Sequence, residues 1–582
     1  MLRIRTLMPL AFGVLCHALA ARADASSTAG QVMAPHAVAE YYTLIAEIAL
    51  TRDEPRVASL SYVSAASADP TLWPRATEVA AGSLQPTVTL SAAEHWIARQ
   101  PNSLRAHLFA ANAARSLFQI AVAADNYRFV IAHFSGGAEA AFPDIERRLL
   151  SAENPYAARQ IADQLAADFP SSVAAHRLQG FAALRADDAA AAVQAFRKAI
   201  ALLPATHEAS RHGKVRPRES GSRRRALTEA LRRARVLSGD VLAPLAEAAA
   251  ALRRQPTAGN RYDYGFLLLA AKKTEAARAQ MIRLLHDPRF GPDALRIVAL
   301  LDFNARRDEM ARARFAELLA GRHYIDACYY YLGLIADRRG DEVGALRDLA
   351  RVRHGDHVLP AMMRVALILR AKGAASTADA LLGDLVADEP RRAPQIIALR
   401  AQIDARAGQM PRALGLIDAG IAQYPDDPGL KYALAKVDDE AGHARQALAI
   451  LRAILATRPD DPQAMNAYGY TLADHDLRLD RARTLISQAL AAAPDDAAFQ
   501  DSMAWVLYRQ GQAAQALPIV KAAYADSPDG GIGAHYGEIL WHLGRHADAR
   551  RVWARAAALD PNDRLLKETR QRLMSGRAAA AP

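Results

Sequence analysis

The sequence has 582 residues, a net charge of +11, and 51% hydrophobic but only 6% aromatic residues. Its length exceeds what one ordinary hydrophobic core supports, so a single compact domain is excluded in favour of several domains or a repeat array. Charged residues make up 23% of the chain, which argues against wholesale disorder.

The first 23 residues have the features of a secretory signal peptide. Two arginines precede a short apolar run, and small residues follow it up to Ala23. The run is too short for a stable membrane span, so we expect residues 1–23 to be removed, residues 24–35 to be disordered and the mature protein to lie in the periplasm. Cys16 is a doubtful lipid-attachment site, because Gly13 stands where such sites have leucine.

Regularly spaced prolines mark most of the chain after this segment. From Pro256 to Pro561 there are 305 residues in nine steps of about 34, and the prolines from Pro70 to Pro204 keep the same spacing. A period near 34 residues is the length of one helix-turn-helix unit, which must stack on its neighbours to bury its apolar face. The spacing therefore predicts a helical repeat array.

The residues inside two units carry the same pattern. In each unit a first small residue is followed by small, bulky, small and proline residues 12, 16, 19 and 24 positions later. The two sets are Gly537, Ala549, Trp553, Ala556 and Pro561, and Gly180, Ala192, Phe196, Ala199 and Pro204. Small residues let two helices cross closely, the bulky residue fills the gap to the next unit, and proline ends the second helix. The pattern resembles the tetratricopeptide repeat (TPR) and predicts an all-α TPR solenoid, a right-handed superhelix of helix-turn-helix units.

One interruption divides the array. We predict N-terminal TPR-like repeats over residues 36–204, a flexible basic loop over 205–222, a C-terminal TPR array over 223–561, a capping helix over 562–576 and a disordered tail over 577–582. The basic side chains at the interruption are Arg211, Lys214, Arg216, Arg218, Arg223, Arg224 and Arg225. Outside the cytoplasm such a cluster is expected to contact an anionic envelope surface or an acidic partner, and not nucleic acid.

No complete catalytic motif occurs along the chain. Zinc-protease, phosphate-loop and nucleophile-elbow patterns each lack a required residue. Pairs of aspartates follow three of the repeat prolines, at Asp426–Asp427, Asp460–Asp461 and Asp495–Asp496. Because these pairs recur with the period, we interpret them as helix caps and not as catalytic or metal-binding pairs. We predict a binding protein with no catalytic residue, no metal and no cofactor.

The first helix of each TPR unit lines the concave groove of the superhelix. In the last units these positions hold Asn466, Tyr470, Trp505, Tyr508, Arg509, Glu538, Trp541 and His542. Tryptophan, tyrosine and arginine together are typical of binding hot spots, so these residues are the predicted protein-binding groove. The alternative is that Trp505 and Trp541 fill gaps between adjacent first helices.

Three C-terminal stretches extend beyond the general TPR pattern. They begin at Met465 (MNAYGYTLAD), Asp501 (DSMAWVLYR) and Gly537 (GEILW), and together span about 100 residues. They resemble the exported proteobacterial TPR proteins of the LbcA type, which are lipoproteins of the outer membrane. The resemblance implies an adaptor that holds a periplasmic carboxyl-terminal processing protease together with its peptidoglycan-hydrolase clients. The alternative function is structural, as an assembly factor for an outer-membrane secretion or polysaccharide-export complex.

Overall fold

The computed structural model of the protein describes residues 34–151, 154–203, 217–559 and 563–574. These residues form 31 α-helices and two short 3-10 helices, and they contain no β-strand. The prediction of an all-α fold is therefore confirmed. The predicted signal peptide, the tail 577–582 and residues 205–216 of the basic loop lie outside the described residues.

The helices follow one another with short connections. The N-terminal helices are α1 Pro35–Thr51, α2 Pro55–Ala68, α3 Trp73–Gly82, α4 Pro86–Arg99, α5 Leu104–Ser116, α6 Ile120–Ala132, α7 Ala138–Leu150, α8 Pro155–Asp168, α9 Val173–Arg185 and α10 Ala189–Ala201. The middle helices are α11 Pro217–Leu237, α12 Leu242–Arg254, α13 Ala258–Ala270, α14 Thr274–Ile282, α15 Gly291–Asn304, α16 Asp308–Ala320, α17 Ile325–Arg338, α18 Glu342–Leu349, α19 Val358–Ala371 and α20 Ala375–Asp388. The C-terminal helices are α21 Ala393–Arg406, α22 Met410–Gln423, α23 Pro428–Glu440, α24 Ala444–Thr457, α25 Pro462–Asp474, α26 Leu479–Ala492, α27 Ala497–Arg509, α28 Ala513–Asp526, α29 Gly530–His542, α30 His546–Leu559 and α31 Arg564–Met574.

The two helices of a unit cross where the sequence places a small residue opposite a bulky one. A Cβ atom added to Gly537 would lie 1.9 Å from Trp553 Nε1, and one added to Gly180 would lie 2.5 Å from Phe196 Cε1. Trp553 and Phe196 are fully enclosed, with exposures of 1% and 0%. The 16-residue offset therefore places a large side chain directly against the backbone of the first helix.

The repeat aspartates cap helices. Asp427 Oδ1 accepts a hydrogen bond of 2.8 Å from the amide of Leu430, and Asp461 and Asp496 accept equivalent bonds at the starts of α25 and α27. The interpretation of the pairs as caps is confirmed for the second aspartate of each pair. In two of the pairs the first aspartate, Asp426 or Asp495, instead contacts a distant part of the chain.

The N-terminal units pack against the C-terminal units across the superhelix. Tyr156 Oη donates a 2.8 Å hydrogen bond to Asp496 Oδ2, and Arg159 Nη1 donates a 2.6 Å bond to the carbonyl of Ala492. An apolar cluster joins the two sides and consists of Phe118, Tyr156, Ala157, Ala186, Ala489, Ala493 and Phe499. We call the contact between residues 53–189 and 422–499, with its continuation from 272–306 to 526–558, the inter-turn seam.

The seam also shares helix caps between the two turns. Asp426 Oδ2 accepts a 3.1 Å hydrogen bond from the amide of Thr87 at the start of α4. Asp495 Oδ2 lies 3.3 Å from the amide of Ala189 at the start of α10. A carboxylate at a helix N-terminus satisfies free amides and favours the helix dipole. Each of these aspartates therefore stabilises a helix of the opposite turn.

A strained turn position accompanies the seam. Several hairpin turns outside the seam place glycine in the left-handed region, as at Gly442 with φ +84° and Gly544 with φ +74°. Among the described residues, ten non-glycine residues have positive φ, and six of them occupy hairpin turns at the seam: Asp53, Leu84, Phe118, Asp187, Lys272 and Arg306. All six contact the opposite turn. The left-handed conformation costs a non-glycine residue about 1–2 kcal/mol, so contacts across the seam offset local strain.

The interruption of the array is shorter than predicted. Helix α11 begins at Pro217, so the prediction of a flexible loop up to residue 222 is wrong for residues 217–222, which belong to the same helix as Arg223 to Leu237.

Across the described residues, none of the helices combines the length and the apolar character that a bilayer crossing requires.

Candidate functional site

The inner surface of the last units contains a buried polar network centred on His535 of α29. His535 is 2% exposed, and its Nδ1 lies 2.8 Å from Asp501 Oδ2 on α27. The indole of Trp505 stacks on the imidazole with ring centroids 4.1 Å apart. Tyr470 Oη on α25 lies 3.5 Å from His535 Nε2. One imidazole thus joins the first helices of three successive units.

The electrostatics of this network favour an internal ion pair. Burial opposes the charged imidazolium, but the nearby carboxylates of Asp501, Asp474 and Glu538 outweigh it and raise the pKa of His535 above its ordinary value. Burial raises the pKa of Tyr470 well above its usual range, so Tyr470 remains a neutral phenol. A histidine enclosed to this degree leaves no space for a substrate, and the network serves to hold neighbouring helices together.

A second group of contacts surrounds Asp474 at the end of α25. Trp505 Nε1 donates a 3.1 Å hydrogen bond to Asp474 Oδ1, and Arg509 Nη1 donates a 2.9 Å bond to the Asp474 carbonyl. Arg509 also pairs with Asp476. Trp505 is 4% exposed, so it fills the gap between adjacent first helices, which was the alternative to a position in an open groove.

The terminal helix α31 covers the inner surface of α29. Arg572 Nη2 donates a 2.5 Å hydrogen bond to Glu538 Oε2, and Tyr508 Oη lies 3.3 Å from Glu538 Oε1. Glu538 is 5% exposed as a result. Burial, followed by the Glu538 carboxylate, raises the pKa of Tyr508 to about 12. The inner surface is therefore closed at this end, and Glu538 is not open to a partner.

The eight predicted groove residues do not form one open surface. Trp541 stacks on His546 at 4.2 Å and on Trp553 at 5.5 Å, so it packs on the second helix of its own unit and neither lines the groove nor fills the gap between first helices. Asn466 is half-buried, and its Oδ1 is buried with no hydrogen-bond partner in the described part of the chain. His542 is the exposed member of the set. Its ring meets Tyr508 edge-on at 5.5 Å. A protein-binding role for these residues stays a prediction.

One group of side chains brings three atoms that could ligate a metal ion close together. Asp439, Asp474 and His475 place ligand atoms within 4.8 Å of one another, the one such group within the described ranges. His475 Nε2 lies 2.6 Å from Asp439 Oδ1. Arg509 Nη1 lies 3.9 Å from Asp474 Oδ1 and carries a positive charge next to the group. His475 and Asp439 thus contact each other, and Asp474 lies beside the guanidinium of Arg509.

Three of the predicted basic residues at the interruption, Arg223, Arg224 and Arg225, lie with their side chains in the described part of the chain. Arg223 and Arg225 are exposed at the N-terminal part of α11, and Arg224 Nη2 donates a 3.0 Å hydrogen bond to the Leu203 carbonyl. Arg211, Lys214 and Arg216 lie outside the described residues, as does the side chain of Arg218. The described part of the basic segment is thus helical and attached to the end of α10.

Sequence reasoning missed the residues that hold the network together, chiefly His535, Asp501 and Arg572. A signal for them is present in the numbering. His535 follows Asp501 by 34 residues, and Arg572 follows Glu538 by the same distance. Residues one period apart stand at equal heights on neighbouring first helices, so complementary pairs at that spacing indicate contacts between units.

The stacked hairpins define a TPR solenoid, and a tetratricopeptide repeat model matches residues 404–469. TPR arrays are scaffolds for protein–protein interaction. The chain is 32% identical over 214 residues to the TPR repeat-containing protein PA4667 of Pseudomonas aeruginosa, and the alignment covers 37% of this chain and 36% of that protein. The chain thus spans about a third of the length of this curated relative.

Solved TPR structures resemble parts of the array. The thermophilic TPR protein TTC0263 of Thermus thermophilus is 22% identical, with a TM-score of 0.28 over 31% of this chain and 97% of that one. A tetratricopeptide repeat protein of Parabacteroides merdae is 15% identical, with a TM-score of 0.31 over 42% of this chain and 96% of that one.

Proposed function

We propose that the protein is an exported envelope scaffold that holds a periplasmic carboxyl-terminal processing protease together with its peptidoglycan-hydrolase clients. The inter-turn seam is the observation that carries this proposal. Side-chain and backbone hydrogen bonds tie the two turns, including those of Tyr156 to Asp496 and of Arg159 to Ala492. A scaffold tied in this way keeps two bound proteins at a fixed separation. Proximity raises their effective concentration without any chemistry by the scaffold.

The inner surface provides the docking positions in this proposal. The buried network around His535 sets the spacing of α25, α27 and α29. Contact with a partner is therefore left to the exposed side chains at the edge of this surface, such as His542, which we call the inner rim. His542 is exposed on this rim, and the side chain of Arg509 is 22% exposed. An arginine held by Asp474 and Asp476 is fixed in place, so it loses little conformational entropy when a partner binds.

The proposed location is the periplasm next to the outer membrane. The signal-peptide pattern of residues 1–23 supports export. Arg223 and Arg225 are exposed on α11 and could contact anionic lipid or glycan. Replacing both with glutamate should move the protein from the envelope fraction to the soluble fraction, whereas replacing the exposed Arg481 with glutamate should not. Unchanged fractionation of the double variant would remove the envelope contact from the proposal.

Site-specific photo-crosslinking in intact cells tests the adaptor function. A benzophenone amino acid at His542 samples the inner rim, and the same amino acid at the exposed Gln488 of α26 samples a second helix as the matched control. We expect adducts with a processing protease and a peptidoglycan hydrolase at His542 and not at Gln488. Adducts with components of a secretion or polysaccharide-export complex would instead support the structural alternative, and equal adducts at both positions would contradict inner-surface docking.

A further inference from the structure

The first hairpin of the array has an exposed apolar face. Five of the 17 large apolar side chains that are exposed in the described part of the chain lie between residues 41 and 60. Tyr41 is 52% exposed and Leu44 is 48% exposed, whereas Ala46 and Ala49 of the same helix are buried against α2. The residues on the exposed side recur at helical spacing, and we call them the α1 stripe: Ala37, Tyr41, Leu44, Ile45 and Ile48.

The equivalent positions are covered in later units. Ala46 precedes Tyr62 by 16 positions and both are buried, so α1 and α2 form a unit with the same small and bulky contact as the others. Tyr41 and Leu44 lie five and two positions before this small residue. In α9 and α29 those two positions are at most 5% exposed, and they hold Ala175 and Leu178, and Ile532 and His535.

The preceding unit provides this cover. His535 contacts Asp501 on α27, and Leu178 shares an apolar cluster with Phe142 on α7. For α1 the described residues provide no preceding helix, and Tyr41 stays exposed with the inter-turn seam closed. The other end of the array differs, because the exposed side chains of the terminal helix α31 are mostly charged or polar, as the outer face of a solenoid requires. The α1 stripe is therefore a helix-packing surface without its helix.

The charges beside the stripe favour a second copy of α1 as the missing helix. Glu40 is exposed in the N-terminal part of α1, and Arg52 is exposed directly after its last residue. Antiparallel packing about an axis between Leu44 and Ile45 places residue 40 of one copy opposite residue 49 of the other, about 5 Å along the helix from Arg52. Each glutamate then lies within reach of an arginine, whereas parallel packing brings like charges together.

A membrane surface fits this hairpin less well. Residues 34–60 carry four carboxylates and two arginines, a net charge of −2, which an anionic lipid surface repels. The size of the stripe also limits the contact. A helix of 17 residues is about 26 Å long, and a pair of such helices buries an area near the lower limit of about 1,000 Å² for specific interfaces. The stripe therefore fits a weak, reversible contact between proteins.

We propose that two copies of the protein associate through the α1 stripe, with their α1 helices antiparallel about a two-fold axis between Leu44 and Ile45. The contact covers Tyr41 and Leu44 of both copies, as the preceding unit covers the equivalent positions of later units. The same surface is used by both copies, so the association closes at a dimer. It does not depend on the adaptor proposal.

Sedimentation velocity of the full mature chain over a range of concentrations tests the association. We expect a reversible dimer with a Kd on the order of 10 µM. Leu44→Glu should raise this Kd at least about tenfold, because two carboxylates would meet at the axis, and should leave the melting temperature unchanged, because Leu44 is half exposed within one copy. Met310→Glu, at a 41% exposed position of α16, is the matched control and should dimerise as the wild type does. A monomer up to about 100 µM, or equal association of Leu44→Glu and the wild type, would overturn the proposal.

Charge reversal tests the antiparallel arrangement. Glu40→Arg and Arg52→Glu should each weaken the dimer by about fivefold, and the double variant should associate as the wild type does. A double variant as weak as either single variant would refute the antiparallel geometry. Flotation with phosphatidylcholine vesicles distinguishes a membrane contact. Flotation of the wild type but not of Leu44→Glu, without any self-association, would assign the stripe to the membrane and overturn the dimer.

Discussion

The seam makes a quantitative prediction at Phe118. Its side chain is 8% exposed and belongs to the apolar cluster that joins the two turns, while its backbone has φ +62°. Phe118→Ala removes the buried ring but keeps the strained backbone, so we expect the closed seam to lose about 2 kcal/mol. Phe118→Gly removes the ring and relieves the strain, which returns about 1 kcal/mol. The glycine variant should therefore be the less damaged of the two.

Hydrogen exchange measures this difference at three amides. The amides of Thr87, Ala189 and Asp495 each donate to an acceptor on the opposite turn, so their protection reports on the seam. A loss of about 2 kcal/mol corresponds to about 30-fold faster exchange, and about 1 kcal/mol corresponds to about fivefold. We expect these factors for Phe118→Ala and Phe118→Gly, with helix amides of α29 unchanged.

Arg322 provides the matched control for the backbone effect. It is exposed, lies outside the seam and has φ +58°. Arg322→Gly should stabilise the protein by up to about 1 kcal/mol without changing exchange at the three amides. Unchanged exchange in Phe118→Ala would refute the seam as a stable contact in solution. Faster exchange in the glycine variant than in the alanine variant would refute the strain argument.

Three further predictions concern the pH response of the seam and the packing of the units. Burial, followed by the carboxylates of the opposite turn, raises the pKa of Asp187 to about 6, so its contribution to the closed seam is present when it is protonated and is lost as pH rises through about 6. In the wild type, the protection of the Asp495 amide against hydrogen exchange should therefore fall between about pH 5 and 7.5. Asp187→Asn should remove this fall. Gly537→Ala would force a methyl group against Trp553 and should cost about 1–3 kcal/mol in chemical unfolding, whereas Gly415→Ala, in an open helical position, should stabilise by about 0.5–1 kcal/mol. His535→Ala would leave Asp501 buried without its charge partner and should cost about 3 kcal/mol, part of which Asp501→Asn should restore in the double variant; full additivity would show that the pair does not interact.

The inner surface shows how far sequence reasoning reached. The period placed Trp505, Tyr508 and Arg509 on a first helix, and the structure brings them into one network. It could not show that Arg572 of the terminal helix closes over Glu538, since the contact depends on how the last helix docks. Spacing alone placed Trp541 in the groove, but its ring stacks on Trp553, which belongs to the second helix of the same unit.

The sequence by itself determined the helical hairpin, its 34-residue period, and the small and bulky positions that meet inside each unit. These contacts join residues 16 positions apart, as in Gly537 with Trp553, so each is encoded in a short, repeated segment. The tertiary structure alone decided the seam, where Tyr156 meets Asp496 from 340 positions away. That meeting follows from the small rotation between neighbouring units added over a whole turn, a sum that no single unit of the sequence records.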